Sequence, residues 1–141
     1  MASRDHDLES LSFFFIMNYQ KIYDQIVNRA KKQNRIYGKG RYYERHHILP
    51  KCMGGKGRVD QWKTHPNIVI LTAREHFICH LLLCKIYPEN AKLTFALWAM
   101  VNMGTSSQER VRVNSTLYEE IKQKHSKLKS KLYKGRKQPK E

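Results

Sequence analysis

Apolar positions along the chain change period several times, and each change marks an element. From Met17, the residues Tyr19, Ile22, Tyr23, Ile26, Val27 and Ala30 recur at three- and four-residue steps. That spacing puts one apolar stripe on a helix of about four turns, accompanied by Lys21, Arg29, Lys31 and Lys32. Gly38 and Gly40 break the pattern, and Arg41 to Leu49 reads as a strand ended by Pro50. Residues 51 to 66 hold Gly54, Gly55, Gly57 and Pro66 among lysines and arginines and read as a loop. The β-branched run from Asn67 to Leu71 predicts a second strand. Thr72 followed by Glu75 is a capping box, so a helix starts there and runs to about Tyr87, where Pro88 stops it. Glu89 to Met103 predicts another helix, with Leu93, Phe95, Leu97, Trp98 and Met100 offered to the core. Gly104 and Thr105 to Ser107 mark a turn, and a last helix begins at about Ser115 with Leu117, Ile121 and Leu128 on one side.

These elements define an α+β fold in one domain over residues 17–128, since 141 residues leave room for one modest core plus tails. Residues 1–16 are set apart as a leader whose status the sequence leaves open, because Met17 opens the clean helix and can itself be a start. Residues 129–141 form a basic tail too polar to pack alone. Lys and Arg number 27 against 12 Asp and Glu, a formal net charge of +15. Such a chain calls for an anionic partner, nucleic acid or an acidic membrane surface. No apolar run approaches the roughly twenty residues that span a bilayer, and the N-terminus lacks the pattern of a secretory signal. A soluble, cytoplasmic protein is expected. Cys52, Cys79 and Cys84 are odd in number and lack CxxC spacing, which excludes a disulfide framework and a zinc knuckle. Cys79 and Cys84 read as core residues and Cys52 as a loop thiol.

The candidate chemistry lies in the histidines, five of whose seven members fall between positions 46 and 80. His46 and His47 are neighbours on a strand, so their side chains leave on opposite sides unless the backbone turns. His76 and His80 are four apart on the capped helix, hence stacked on one face, where two imidazoles can ligate one cation. Asn67 opens the second strand, and Glu75 is accounted for as the capping partner of Thr72. His6, His65 and His125 read as surface residues.

Together the segments ERHHILP (44–50), the Gly54–Gly55 pair, NIVILT (67–72) and REHFICH (74–80) resemble the HNH endonucleases. The core of that family is a ββα-metal finger, two short antiparallel strands and a helix, which would cover about residues 41–86 embedded among the additional helices. The Glu-x-His-His wording looks like the bacterial colicin-type DNases, and the helix looks more like phage-encoded HNH homing endonucleases. The resemblance implies a metal-dependent DNA endonuclease or nickase. His47 would be the general base, and His46, His76 and His80 would hold one divalent cation. Imidazole, with an ordinary pKa of about 6.5, suits base work near neutral pH. Asn67 would brace the loop that orients the base, and Glu44 would be a supporting carboxylate paired with Arg41. Lys51, Lys56, Arg58, Lys63 and Arg74 would contact DNA phosphates. The metal is Mg, Mn, Ni or Zn; three imidazoles suit Zn, Ni, Co or Mn better than Mg, which prefers oxygen. DNA is the expected partner, with no membrane and no small-molecule cofactor.

A second reading is a non-catalytic nucleic-acid-binding module with a structural zinc, and a third is a toxin-type DNase domain. Against the second stands His47, for which a closed four-ligand site has no use. Against the third, nothing in the chain looks like a secretion or receptor-binding region.

Overall fold

The computed structural model describes residues 4–104 and 112–134, with side chains described from Asn18 onward. It is α+β, with the element order α1 (Arg4–Lys32), β1 (Glu44–His47), β2 (Ile68–Leu71), α2 (Ala73–Ile86), α3 (Ala91–Asn102) and α4 (Ser115–Tyr133). Two 3-10 turns, Lys51–Met53 and Val59–Gln61, lie in the loop between the strands. The expected turn residues Thr105 to Ser107, the surface assignment of His6, and the tail from residue 135 lie outside the described residues or side chains. Among the described residues, no helix is long and apolar enough to cross a membrane.

The strands pair antiparallel, with Glu44 opposite Leu71, Arg45 opposite Ile70, His46 opposite Val69 and His47 opposite Ile68. Every residue of β2 is buried, so its continuous apolar run is the inner strand of a sheet packed against helices. The strand expected over 41–49 contracts to Glu44–His47, because its partner offers only four residues. The helix expected from Met17 is the second half of α1, which is already helical from Arg4.

The core is a layer of side chains shared by α1, β2, α2, α3 and α4. Tyr23, Ile26, Val27 and Ala30 meet Val69 and Leu71, then Phe77, Leu82 and Leu83, with Leu93, Leu97 and Ile121 beyond. Cys79 and Cys84 are buried within it as expected, and burial pushes the Cys79 thiol up to about 12, which keeps it protonated and unreactive. Two residues of the expected apolar faces are not there: Ile22 is 41% exposed and Phe95 is 49% exposed. At about 100° per residue the buried face of α3 runs through Leu93, Thr94 and Leu97, and Phe95 points to the other side.

Caps set the helix starts. Thr72 Oγ1 accepts from Glu75 N–H at 3.1 Å while a Glu75 carboxylate oxygen accepts from Thr72 N–H at 2.9 Å. Asn90 and Asn114 do the same work for α3 and α4. The N-terminus of α2 is further tied to the segment after α1. Arg35, whose side chain is 7% exposed, grips the Glu75 carboxylate with both guanidinium nitrogens and donates to Ile70 O at 3.1 Å. These contacts hold β2 and the start of α2 in fixed relation to α1, and so position the histidines they carry.

Candidate metal centre and active site

His46 comes from β1, and His76 and His80 from the inner face of α2. Their rings sit in a triangle with centroids 4.9–5.1 Å apart. One nitrogen from each ring lies within 4.8 Å of the others. Hydrogen bonds decide which nitrogens are free. The Tyr23 hydroxyl has one proton, and it donates it to Ile48 O at 2.6 Å, because a carbonyl can only accept. The 2.9 Å contact between that hydroxyl and His46 Nε2 therefore has the histidine as donor, and Nδ1 keeps its lone pair. Burial raises the Tyr23 pKa, so the phenol stays protonated.

His76 Nδ1 lies 3.3 Å from the Glu44 carboxylate. That carboxylate is held below its usual range chiefly by this hydrogen bond, with help from Tyr42. It accepts, so His76 Nδ1 carries a proton, and in the neutral ring Nε2 is bare. His76 Nε2 faces His80 Nε2 at 3.2 Å, and His80 Nδ1 is buried without a hydrogen-bond partner. Two ring nitrogens bound to one cation at about 2.0–2.1 Å stand about 3.0–3.4 Å apart. In the metal-free ring this contact is an N–H···N hydrogen bond, and its length is also one that two nitrogens on a single cation would keep. Burial holds His46 well below the usual histidine range and pushes His80 down to about 3, so both are neutral and ready to ligate. The expected ligand trio is brought together by the fold.

His47 is half-buried and lines the same cavity of about 270 Å³ as the trio. Its Nε2 lies 2.8 Å from Gly57 O, which can only accept, so Nε2 carries a proton and in the neutral ring Nδ1 keeps its lone pair. The neighbours on the strand thus share one cavity because β1 ends at His47 and the chain turns.

The loop carrying Gly57 is clamped by Asn67. Its side chain accepts from Leu49 N at 2.8 Å and donates to Leu49 O at 3.1 Å and Lys56 O at 2.9 Å. Its backbone carbonyl accepts from Ile48 N at 2.8 Å. Two glycines make the loop possible. A Cβ on Gly55 would fall 1.8 Å from Leu49 O, and Gly57 has φ +97° with the His65 ring against it. His65, expected at the surface, is half-buried; its Nδ1 accepts from Asn67 N at 3.1 Å.

Glu44 has its described partners in His76 and Tyr42, not in Arg41, whose guanidinium lies over the Tyr43 ring at 5.8 Å. Of the expected phosphate contacts, Lys51 lines the cavity. Lys56, Lys63 and Arg74 are exposed but do not line it, Lys63 lying instead on a separate hollow with Trp62 and Ile68, and Arg58 is exposed but paired with Asp60. Arg45, Cys52 and Lys92 also line the cavity and were not singled out from the sequence. Tyr23 was read only as a stripe residue. Its signal was present, since a tyrosine on a buried stripe needs a partner for its hydroxyl. His125, expected at the surface, is half-buried, its ring stacked on Trp98 at 4.8 Å and 16°.

Two antiparallel strands leading directly into a helix, with imidazoles from strand and helix converging, are compatible with a ββα-metal finger. Over 119 residues the chain is 41% identical to probable mobile endonuclease E of Enterobacteria phage T4, covering 84% of this chain and 74% of that protein. It is 39% identical over 116 residues to probable mobile endonuclease D and 39% over 107 residues to probable mobile endonuclease B of the same phage. It spans 42% and 36% of the length of those two. The chain belongs to this family of phage mobile endonucleases. No protein-family model matches it, and no solved structure matches it significantly.

Proposed function

We propose that the chain is an HNH-type endonuclease or nickase that hydrolyses DNA phosphodiesters with the help of one divalent metal ion. The observation that carries this reading is the placement of His47. A ring fixed by Gly57 O, with Nδ1 free of any described partner, opens onto the cavity that the three imidazoles line. His46, His76 and His80 would hold the ion, which when bound would neutralise the scissile phosphate and stabilise the departing oxyanion. His47 Nδ1 takes the proton of a water molecule as that water attacks phosphorus. Gly57 O keeps the ring in the tautomer that allows this, and Asn67 keeps Gly57 in place. Lys51, Arg45 and Lys92 line the cavity with positive charge that attracts the phosphodiester backbone. Lys56, Lys63 and Arg74, all exposed, would add to that attraction.

Plasmid conversion by the purified protein with Mg, Mn, Ni or Zn tests the reading, with metal content measured in parallel. His47→Ala should lose cleavage and keep the metal; His46→Ala should lose both. Cleavage by His47→Ala at the unmodified rate would overturn the base assignment. Tightly bound zinc with no cleavage under any metal would favour a structural-zinc binding module.

A further inference from the structure

We propose that the groove between α3 and α4 is a second DNA-contacting site that takes an unpaired nucleobase beside the cut. This rests on the endonuclease reading above.

The groove encloses about 490 Å³ and its walls include Lys92, Phe95, Trp98, His125, Lys129 and Leu132. Its floor is a run of flat rings. His125 stacks on Trp98 at 4.8 Å and 16°, and Phe95 lies against Trp98 at 5.9 Å and 27°. Phe95 and Leu132 are 49% and 59% exposed, an apolar surface that no described part of the chain covers. The rim is cationic: Lys92 from α3 and Lys129 from α4 both line it. A second copy of a chain with net charge +15 would bring like charges together on this face. A ligand with a flat π face and an anionic backbone matches both features, and that combination is single-stranded nucleic acid. A base inside a duplex has both faces covered by its neighbours, so only an unpaired one can stack in the groove.

The groove also adjoins the histidine cavity. Lys92, in the first turn of α3, lines both. A strand whose phosphate sits at the histidines can therefore pass Lys92 and place a displaced base on Phe95. The aromatic floor and the metal cluster share no residue, so the two can be tested separately.

The test uses the full chain in chelator, so that DNA is bound and not cut. Affinity is measured for a labelled duplex and for the same duplex with a short unpaired bubble. Phe95→Ala should weaken bubble binding about 5- to 100-fold, the range for loss of one base stack. Intact-duplex binding, governed by phosphates, should change by less than about twofold. Phe95→Trp should retain bubble affinity, and in a Trp62→Phe background the bubble should quench Trp98 emission. Unchanged bubble affinity in both Phe95→Ala and His125→Ala would overturn the proposal. So would sedimentation of the unmodified chain as a dimer that Phe95→Ala disperses, which would make a second copy the occupant. Loss of bubble binding in Phe95→Ala together with no cleavage under any metal would sink the endonuclease reading and leave the base site standing. Normal cleavage with unaltered bubble binding would sink the base site alone.

Discussion

Tyr23→Phe removes one oxygen and leaves the ring in the core, which makes it a sharp probe of the histidine cluster. The hydroxyl makes two hydrogen bonds, to Ile48 O at 2.6 Å and from His46 Nε2 at 2.9 Å. His46 is 3% exposed, so its Nε2–H would be left buried without a partner. An orphaned buried donor costs about 1–3 kcal/mol, and the lost bond to the half-buried Ile48 carbonyl about 1 more. The metal-free variant should therefore unfold in urea with about 2–4 kcal/mol less stability. A second effect follows from the tautomer. With Tyr23 gone, nothing holds the His46 proton on Nε2, and a proton on Nδ1 blocks the lone pair offered to the ion. Loss of such a support weakens metal affinity about 10- to 100-fold. Calorimetric titration with zinc or manganese reads the affinity, and nitrogen NMR of the imidazoles reads which His46 nitrogen is protonated. Tyr19→Phe, on the same stripe, is the control. If Tyr23→Phe binds metal as the unmodified protein does and His46 stays protonated on Nε2, the hydrogen-bond argument for the ligand atom is wrong.

Asn67→Ala removes the clamp on Leu49 and Lys56 and should lower kcat much more than it raises KM while leaving metal affinity intact; an unchanged kcat would show that Gly57 is held without it. Arg35→Ala removes the buried partner of the Glu75 carboxylate and should cost about 3 kcal/mol in urea unfolding, the low end for breaking a buried pair because Glu75 keeps Thr72, the exposed Arg29 at 3.9 Å and some solvent. Burial pushes the Glu75 carboxyl up, but Arg35 and Thr72 more than offset this and hold it below its ordinary value. Its contribution is thus present above the unfolded pKa of about 4.3 and is lost as pH falls through the folded value, and Glu75→Gln should flatten that limb. His46 and His80 are also depressed, so the metal-free protein should begin losing stability as pH drops below about 6.5, where the unfolded chain takes up protons that the folded one refuses. A urea midpoint unchanged between neutral pH and about pH 5.5 would contradict the burial of those rings. Replacing Lys51 and Lys92 with Gln should reduce the slope of log affinity for DNA against log salt by about 1.8 if each meets one phosphate; an identical slope would place the DNA elsewhere.

What the sequence disclosed and what it hid divide by distance along the chain. The start of α2 was legible because Thr72 and Glu75 bond each other across three residues, and its end because Pro88 follows Tyr87. The pairing of His76 with His80 follows from helical spacing, whereas the meeting with His46 was implied only by the resemblance to the HNH endonucleases. Contacts between elements were not legible. Glu44 was given to Arg41 nearby, yet its carboxylate lies on His76, 32 residues away. Arg35 reaches Glu75 across 40 residues, and no periodicity marks it. Phe95 was misplaced because α3 is apolar on nearly every side, so the face that is buried is chosen by what packs on it. The same logic makes the finger incomplete by itself. His46 owes its tautomer to Tyr23, 23 residues upstream on α1, and β2 with the start of α2 is anchored by Arg35, outside the finger's own elements. A segment cut to strands and helix alone would keep every imidazole of the cluster and still lose the hydrogen bond that leaves the right nitrogen of His46 free. The helix before the finger therefore supports the candidate site, and the proposed ligand set depends on residues outside the finger's own strands and helix.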